Sequence, residues 1–332
     1  MPPRSILFVE LLGGFGDLVI ALPAIQALAR SHPQARLDVA TFRPGAELVA
    51  HDPLVHHVLA PRPKAHLQDW LGRVLREAHY DLVVSDTMYD GIPHVIEERV
   101  SLAVTDLWRG PGPEERVGER FVRILLQDGL IDSRTLPPPS LHLPGWSRRR
   151  AGRRLPRGRP LVVLFPEAGM KIKSWPLSRF VALGRRLEEG WAASILVAVG
   201  SDQALALRLA EQLSSSTRIW PRGSLILLAA TLSHADLVVA ADTGPAHLAA
   251  ALGVPTVTLF GPSWAGRYGH GDGHADLQGF PDCPLRVPDD FTVQPCWYSG
   301  ECPLDVWGSC TEGIAPEQVE ASAGRLLARR AS

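Results

Sequence analysis

The sequence has no apolar run near the ~18–20 residues that a membrane-spanning helix needs. Its opening, Met1-Pro-Pro-Arg-Ser-Ile-Leu-Phe-Val-Glu, carries a short apolar stretch followed by glycines. A secretory signal would end in a small-residue cleavage site instead. Both absences point to a cytoplasmic chain. Cysteine is scarce: Cys283, Cys296, Cys302 and Cys310 all fall near the C-terminus. Their spacing lacks the paired C-x2-C of a structural zinc site. Reduced thiols and no bound metal are expected in a cytosolic chain. Charge of either sign is also missing as a global field, because the net charge is -1 over 332 residues. Nothing in that balance favours nucleic acid, and only a local patch would contact a membrane surface.

What is present is an ordinary globular composition, with 45% hydrophobic and 21% charged residues, enough for a sizeable core. The length suggests two domains. Apolar runs alternate with amphipathic stretches, which implies parallel sheets covered by helices. In the first half, Ser5 to Val9, Arg36 to Thr41, His57 to Ala60 and Asp81 to Ser85 read as strands. Leu18 to Ser31 and Asp69 to Ala78 read as helices, and Gly13 to Asp17 as a loop. The pattern blurs towards a turn-rich connector at Leu136-Pro-Pro-Pro-Ser. It restarts with strands at Leu161 to Phe165, Ser194 to Val199, Ala235 to Ala240 and Thr256 to Phe260. Helices are expected at Ser178 to Glu188, Ala204 to Leu213, Ser224 to Leu232 and Ala246 to Leu252. The expected domains are 1–150 and 151–332. Between the halves lies Arg148-Arg-Arg-Ala-Gly-Arg-Arg-Leu-Pro-Arg-Gly-Arg159, which carries no acidic residue. It reads either as a solvated linker or helix face, or as a basic surface for an anionic acceptor or lipid.

Three segments carry chemistry. The first is Leu11-Leu-Gly-Gly-Phe-Gly-Asp17, between the first strand and the first helix. Its glycines, Gly14 and Gly16 among them, permit close approach of a ligand to the backbone, and the helix start behind them favours anions. The spacing is not G-x-G-x-x-G, and Asp17 would repel a cofactor phosphate. Asp17 is either a general base taking a proton from a hydroxyl or a helix N-cap. The second is Phe165-Pro-Glu-Ala-Gly169-Met-Lys171-Ile-Lys173-Ser-Trp-Pro176, in the equivalent place in the second half. Its lysines either face a diphosphate or are solvated. The third is Asp242-Thr243-Gly244-Pro-Ala-His247, where a strand passes straight into a small-residue helix. Pro245 suits the first turn, the free N–H groups suit an anion, and His247 lies one turn in. The plainer alternative is a capped core helix with a hydrogen-bonded histidine.

These three segments, with Pro23-Ala-Ile-Gln-Ala-Leu and Phe260-Gly-Pro-Ser, occur in the order seen in heptosyltransferases. The chain resembles glycosyltransferase family 9, the ADP-heptose:lipopolysaccharide heptosyltransferase family, over nearly its whole length. The resemblance implies the GT-B fold: α/β, two facing Rossmann-like domains with parallel sheets and the active site in the cleft. It implies an inverting transferase with no cofactor, whose donor substrate is a nucleotide-diphosphate sugar, ADP-linked. Carried over residue by residue, Asp17 matches the base and Lys173 the lysine at the donor's phosphate or sugar. Asp242 matches the contact to the sugar hydroxyls. Thr243, Gly244 and His247 match the diphosphate-binding helix start. Gly14, Gly16, Gly169 and Lys171 complete the expected donor site, with the backbone near Trp220 and Pro221 reading the adenine edge.

Two departures stand out. The family's Pro-Gly-Ala is here Pro166-Glu-Ala-Gly169, and Glu167 is expected to alter the sugar contacts. The segment Met88 to Arg116 lacks the basic acceptor-binding residues expected opposite a phosphorylated lipid A core. The acceptor is therefore expected to be a glycan, a lipid-linked sugar or a small natural product, with weak membrane contact. No Asp-x-Asp spacing exists anywhere in the chain, so lysines and helix starts must stabilise the leaving diphosphate. A dinucleotide oxidoreductase is disfavoured, because the second strand ends at Thr41 without an acid. A non-hydrolysing nucleotide-sugar epimerase and a non-catalytic nucleotide-sugar binder share the architecture. An acceptor requirement excludes the first, and a dispensable Asp17 would mark the second.

Overall fold

The computed structural model describes residues 2–110, 115–135, 139–156, 159–287, 295–304 and 309–331. The chain divides into two compact units, Met1–Leu143 and Pro144–Ser332. Part of the expected connector, 136–138, lies outside the described residues.

The first unit holds β1 (Ser5–Glu10), α1 (Phe15–Ser31), β2 (Arg36–Thr41), α2 (Arg43–Val49), β3 (His57–Leu59) and α3 (Leu67–Glu77). It continues with β4 (Leu82–Ser85), α4 (Ile92–Glu97), β5 (Ala103–Val104) and α5 (Val117–Gln127). The sheet is parallel, in the order β3-β2-β1-β4-β5. Its central strands are buried on both faces, which is why they read as continuous apolar runs. Leu7, Val9, Ala40 and Val83 meet Leu71 from α3 and Ile92, Val95 and Ile96 from α4 in one core. The first helix begins at Phe15, three residues before the sequence suggested, so Asp17 lies inside its first turn.

The second unit holds α6 (Gly145–Gly152), β6 (Leu161–Phe165), α7 (Leu177–Trp191), β7 (Ser194–Ala198), α8 (Gln203–Glu211) and β8 (Arg218–Trp220). Then come α9 (Leu225–Leu232), β9 (Leu237–Ala241), α10 (Gly244–Ala251), β10 (Thr256–Phe260), α11 (Ala265–Tyr268) and β11 (Ala275–Gln278). The C-terminal helix is Pro316–Ala331. The sheet order is β11-β10-β9-β6-β7-β8, again parallel. Counted from its own first strand, this is the Rossmann order 3-2-1-4-5-6. Val162, Leu164, Val239 and Leu259 from the sheet meet Phe180, Leu183 and Leu187 of α7 and Val319 and Ala323 of the C-terminal helix.

In each unit the first strand lies between strands reached in opposite directions. Ligands of open α/β sheets bind outside the carboxyl ends of the strands at that switch point. In the first unit it lies between β1 and β4, and in the second between β6 and β9.

Candidate active site

At the second unit's switch point, β6 runs into the lysine loop and β9 into Asp242. The loop is fixed by Trp175, which is 2% exposed. Its Nε1–H donates to the Ile314 carbonyl at 3.0 Å and its ring meets Phe180 edge-on. Pro176 then stands at the N-cap of α7. The anchored loop turns through a 3-10 segment, Lys171–Lys173, and the two lysines diverge. Lys173 Nζ sits 2.8 Å from Asp242 Oδ2 and 4.7 Å from the centre of the Trp297 ring. Lys171 is exposed and lines a separate depression with Trp175, Leu205 and Glu312. Of the two, Lys173 joins the constellation.

Asp242 is 5% exposed. Burial alone would push its carboxyl up. The Lys173 ammonium and the hydrogen bond from His247 outweigh that and hold it well below the usual carboxylate range. His247 Nε2 lies 3.1 Å from Asp242 Oδ1, and its Nδ1 lies 3.0 Å from His270 Nε2. His270 Nδ1 lies 3.2 Å from Thr258 Oγ1. A carboxylate only accepts, so His247 donates from Nε2 and accepts at Nδ1. His270 then donates from Nε2, while its Nδ1 faces both the Thr258 hydroxyl at 3.2 Å and the Asp276 carboxylate at 3.3 Å. Burial, opposed by Asp276, lowers the proton affinity of His270. Thr243 is the N-cap of α10, but its hydroxyl donates to the Ala241 carbonyl at 3.1 Å instead of capping the helix. The Asp-Thr-Gly-Pro segment thus combines a helix start with a cation and an oriented carboxylate.

The other donor-side residues are less concentrated. Gly169 is exposed on the loop, Pro221 is exposed and Trp220 is buried at the end of β8. The Trp220 carbonyl accepts from Val199 N–H at 3.0 Å, so it belongs to the sheet. Glu167 is held by backbone amides of a neighbouring loop. Its carboxylate accepts from Ser201 N–H at 2.9 Å and Asp202 N–H at 2.8 Å, turned towards the loop after β7.

In the first unit, Gly13 takes the positive φ of 117°, while Gly14 is extended and is the N-cap of α1. Gly16 is buried in the helix's first turn. Asp17 is the third helical residue. Its Oδ2 accepts from Gly14 N–H at 3.2 Å, so it supports the cap without being the N-cap itself. A Cβ on Gly14 would stand 2.9 Å from that oxygen, which is why a glycine leaves the carboxylate room.

Two buried carboxyls behind Asp17 escaped the sequence reading. Glu10 ends β1 and Asp86 follows β4, and the Asp86 N–H donates to the Val9 carbonyl at 3.2 Å. Glu10 accepts from Thr41 Oγ1 at 2.6 Å and Leu12 N–H at 3.0 Å. Asp86 accepts from Thr87 Oγ1 at 3.1 Å, while its Oδ2 has no partner. Burial, with Asp17 nearby, pushes Glu10 up to about 7. Burial, then Glu10 and Asp17, push Asp86 well above its ordinary value. Acids at the carboxyl ends of adjacent strands beside a switch point were the available signal.

These shifts carry a pH prediction. Folding raises the Glu10 pKa, so the native state holds the proton more tightly than the unfolded chain. Stability should fall as pH rises from about 4.5 to about 7, the unfolded and folded values, and stay lowered above that. Glu10→Gln should remove ~1–3 kcal/mol of this loss. Urea denaturation of both proteins at the two ends of that window checks it, and equal slopes in the two proteins would contradict it.

The first unit also has a depression of about 580 Å³ among Arg43, Arg62, Lys64, His66 and Gln68. Among the described residues Arg43, Arg62 and Lys64 have no ion-pair partner. In the Met88 to Arg116 segment, by contrast, Arg99, Arg109 and Arg116 pair with Glu98, Asp128 and Glu119. Among the described residues the metal-ligating grouping is Asp38, His56 and His57, which includes neither Asp17 nor Asp242. No disulfide joins the four cysteines, and burial, then Cys283, push the Cys310 thiol up.

Comparison with known proteins agrees with this geometry. The model of glycosyltransferase family 9 (heptosyltransferase) matches residues 119–275. Lipopolysaccharide heptosyltransferase 1 of Pseudomonas aeruginosa is 29% identical over 84% of this chain and 85% of its own length. Lipopolysaccharide heptosyltransferase 3 of Escherichia coli is 26% identical over 74% of this chain and 80% of its own. Among solved structures, a family 9 glycosyl transferase from Veillonella parvula has a TM-score of 0.83 at 18% identity, covering 98% of both chains. E. coli heptosyltransferase WaaC with ADP-2-deoxy-2-fluoro heptose has a TM-score of 0.69 at 16% identity, covering 97% of this chain and 99% of its own. Two Rossmann-like units of parallel sheet with these loops define a glycosyltransferase of the GT-B class. Its residues 119–275 match glycosyltransferase family 9, and along most of its length the chain is similar to lipopolysaccharide heptosyltransferases. The epimerase and the non-catalytic binder are thereby set aside.

Proposed function

We propose that the enzyme transfers a heptose from ADP-heptose, with inversion and without a metal ion, to a hydroxyl of a lipopolysaccharide core. The observation that carries this is the Lys173–Asp242–His247 constellation at the start of α10. It supplies fixed positive charge for a leaving diphosphate and an oriented carboxylate for sugar hydroxyls. ADP as the nucleotide is supported by the ADP-sugar in the structure of E. coli heptosyltransferase WaaC. The acceptor class is supported by the similarity to lipopolysaccharide heptosyltransferases 1 and 3. The basic depression around Arg62 and Lys64 suits that anionic acceptor.

In this reading the acceptor oxygen attacks the anomeric carbon as the bond to the diphosphate breaks. Asp17 takes the acceptor's proton, and Lys173 with the α10 start receives the charge on the departing ADP. Asp242 and the histidine chain hold Lys173 in place. The enzyme works on the cytoplasmic side, in peripheral contact with the inner membrane that carries its acceptor.

The test is transfer from ADP-heptose to a truncated lipopolysaccharide core, with and without chelator. Turnover should be unchanged in EDTA, and the product should have the inverted anomeric configuration. Loss of turnover in EDTA with rescue by Mg²⁺ or Mn²⁺ would remove the metal-independent mechanism.

A further inference from the structure

The arginine-rich run between the two halves has no part in the chemistry above. Its first part forms α6, and one side of that helix is anchored. Ser147 and Ala151 are buried, and the helix packs on α9. The Arg148 carbonyl lies 3.0 Å from His234 Nε2. The opposite side is therefore fixed in direction.

That side carries Trp146, Arg149, Arg150 and Arg153, the i, i+3, i+4 and i+7 positions of one helical stripe. Trp146 is 49% exposed. With Arg154 these residues line an open depression of about 510 Å³. None of Arg148, Arg149, Arg150, Arg153 and Arg154 has an ion-pair partner among the described residues. Elsewhere in the same unit Arg159, Arg186 and Arg330 pair with Asp236, Glu317 and Asp236. A chain of net charge -1 thus collects unneutralised arginines on one surface and sets a half-exposed indole among them. Each arginine offers a planar fork of donors for phosphate. Tryptophan favours the boundary between water and acyl chains, and juxtamembrane basic clusters attract anionic leaflets.

We infer that the exposed face of α6 docks the enzyme on an anionic phospholipid membrane. The arginines contact lipid phosphates, and Trp146 enters the headgroup layer. This deepens the proposed peripheral location, on which it rests, by naming the surface responsible.

The test is sedimentation of the full chain with vesicles of phosphatidylcholine alone and of phosphatidylcholine with phosphatidylglycerol. The wild type should bind the anionic vesicles and lose them as salt is raised. Each basic side chain at such a surface contributes about fivefold. Arg149→Gln, Arg150→Gln and Arg153→Gln together should therefore weaken binding ~100-fold. Arg185→Gln, Arg208→Gln and Arg218→Gln together, a charge-matched control on other exposed positions of the unit, should weaken it far less. Transfer to a soluble, delipidated core acceptor should be unchanged in both triple variants.

Three outcomes overturn the inference: no preference of the wild type for anionic vesicles, equal losses in the two triple variants, or a raised acceptor KM in the α6 variant with vesicle binding intact. The last would mark the face as an acceptor site. Failure of the transferase reading is visible separately, as absence of wild-type transfer to the soluble acceptor without vesicles.

Discussion

Asp17→Asn should lower kcat by ~10²–10⁴-fold, the range for loss of a general base, while folding and ADP affinity stay close to wild type. The substitution discriminates well because of where Asp17 sits. It is the third residue of α1 and accepts from Gly14 N–H. An asparagine oxygen can keep that hydrogen bond, and removing one charge from a first helical turn costs only ~0.3–1 kcal/mol. A purely structural Asp17 would therefore leave a nearly normal enzyme. Steady-state kinetics with saturating donor, beside a thermal melt and ADP titration, separate the two. Turnover within a few-fold of wild type would leave the general-base role without support.

Lys173→Met should have a comparable effect on rate, through a different cause and with a stability signature. The ammonium it removes lies 2.8 Å from Asp242 Oδ2 in a pair whose side chains are 16% and 5% exposed. Breaking one partner of a buried pair costs ~3–5 kcal/mol because the other charge is stranded. Asp242 then either protonates or loosens the chain through His247 and His270. Loss of electrostatic stabilisation of the departing diphosphate is expected to cost ~10²–10³-fold in kcat. Adding Asp242→Asn to Lys173→Met should restore much of the stability without restoring turnover. Denaturation curves and kcat for the single and double variants check both parts. A double variant no more stable than Lys173→Met alone would show that the pair is not coupled as drawn.

Legibility in the sequence followed the physical signal. The buried strands β1, β2, β6 and β10 were plain because parallel strands covered on both faces are continuous apolar runs. The short elements α2, α4 and β5 were not, because their stretch mixes charge, proline and glycine with few apolar repeats; α5 was missed although Val117, Phe121, Ile124 and Leu125 recur at helical spacing on its buried side. The Asp-Thr-Gly-Pro helix start was legible as a motif, and so was Lys173 through Trp175-Pro176. The rest of that constellation was not. His270 lies 23 residues beyond His247, and only the β10–β11 crossover returns it to the same place. Glu10 and Asp86 read as ordinary strand ends until the sheet order set them on neighbouring strands. The partners of Glu167 were illegible for the same reason: spacing puts it on the loop, and only the fold brings the Ser201 and Asp202 amides to its carboxylate.

The shared strand order has a consequence for how mutations will sort. Along each strand the chain changes employment, from filling space in the interior to presenting chemistry at its carboxyl end. Substitutions such as Leu164→Ala or Phe180→Ala in the fully buried layer should cost ~2–5 kcal/mol and reduce how much enzyme a cell retains, with the specific rate of the surviving molecules unchanged. Substitutions one or two residues past the strand ends should do the reverse. A random library scored for both yield and turnover would then split along the strand axis into two populations, and the border between them would trace the carboxyl edge of each sheet.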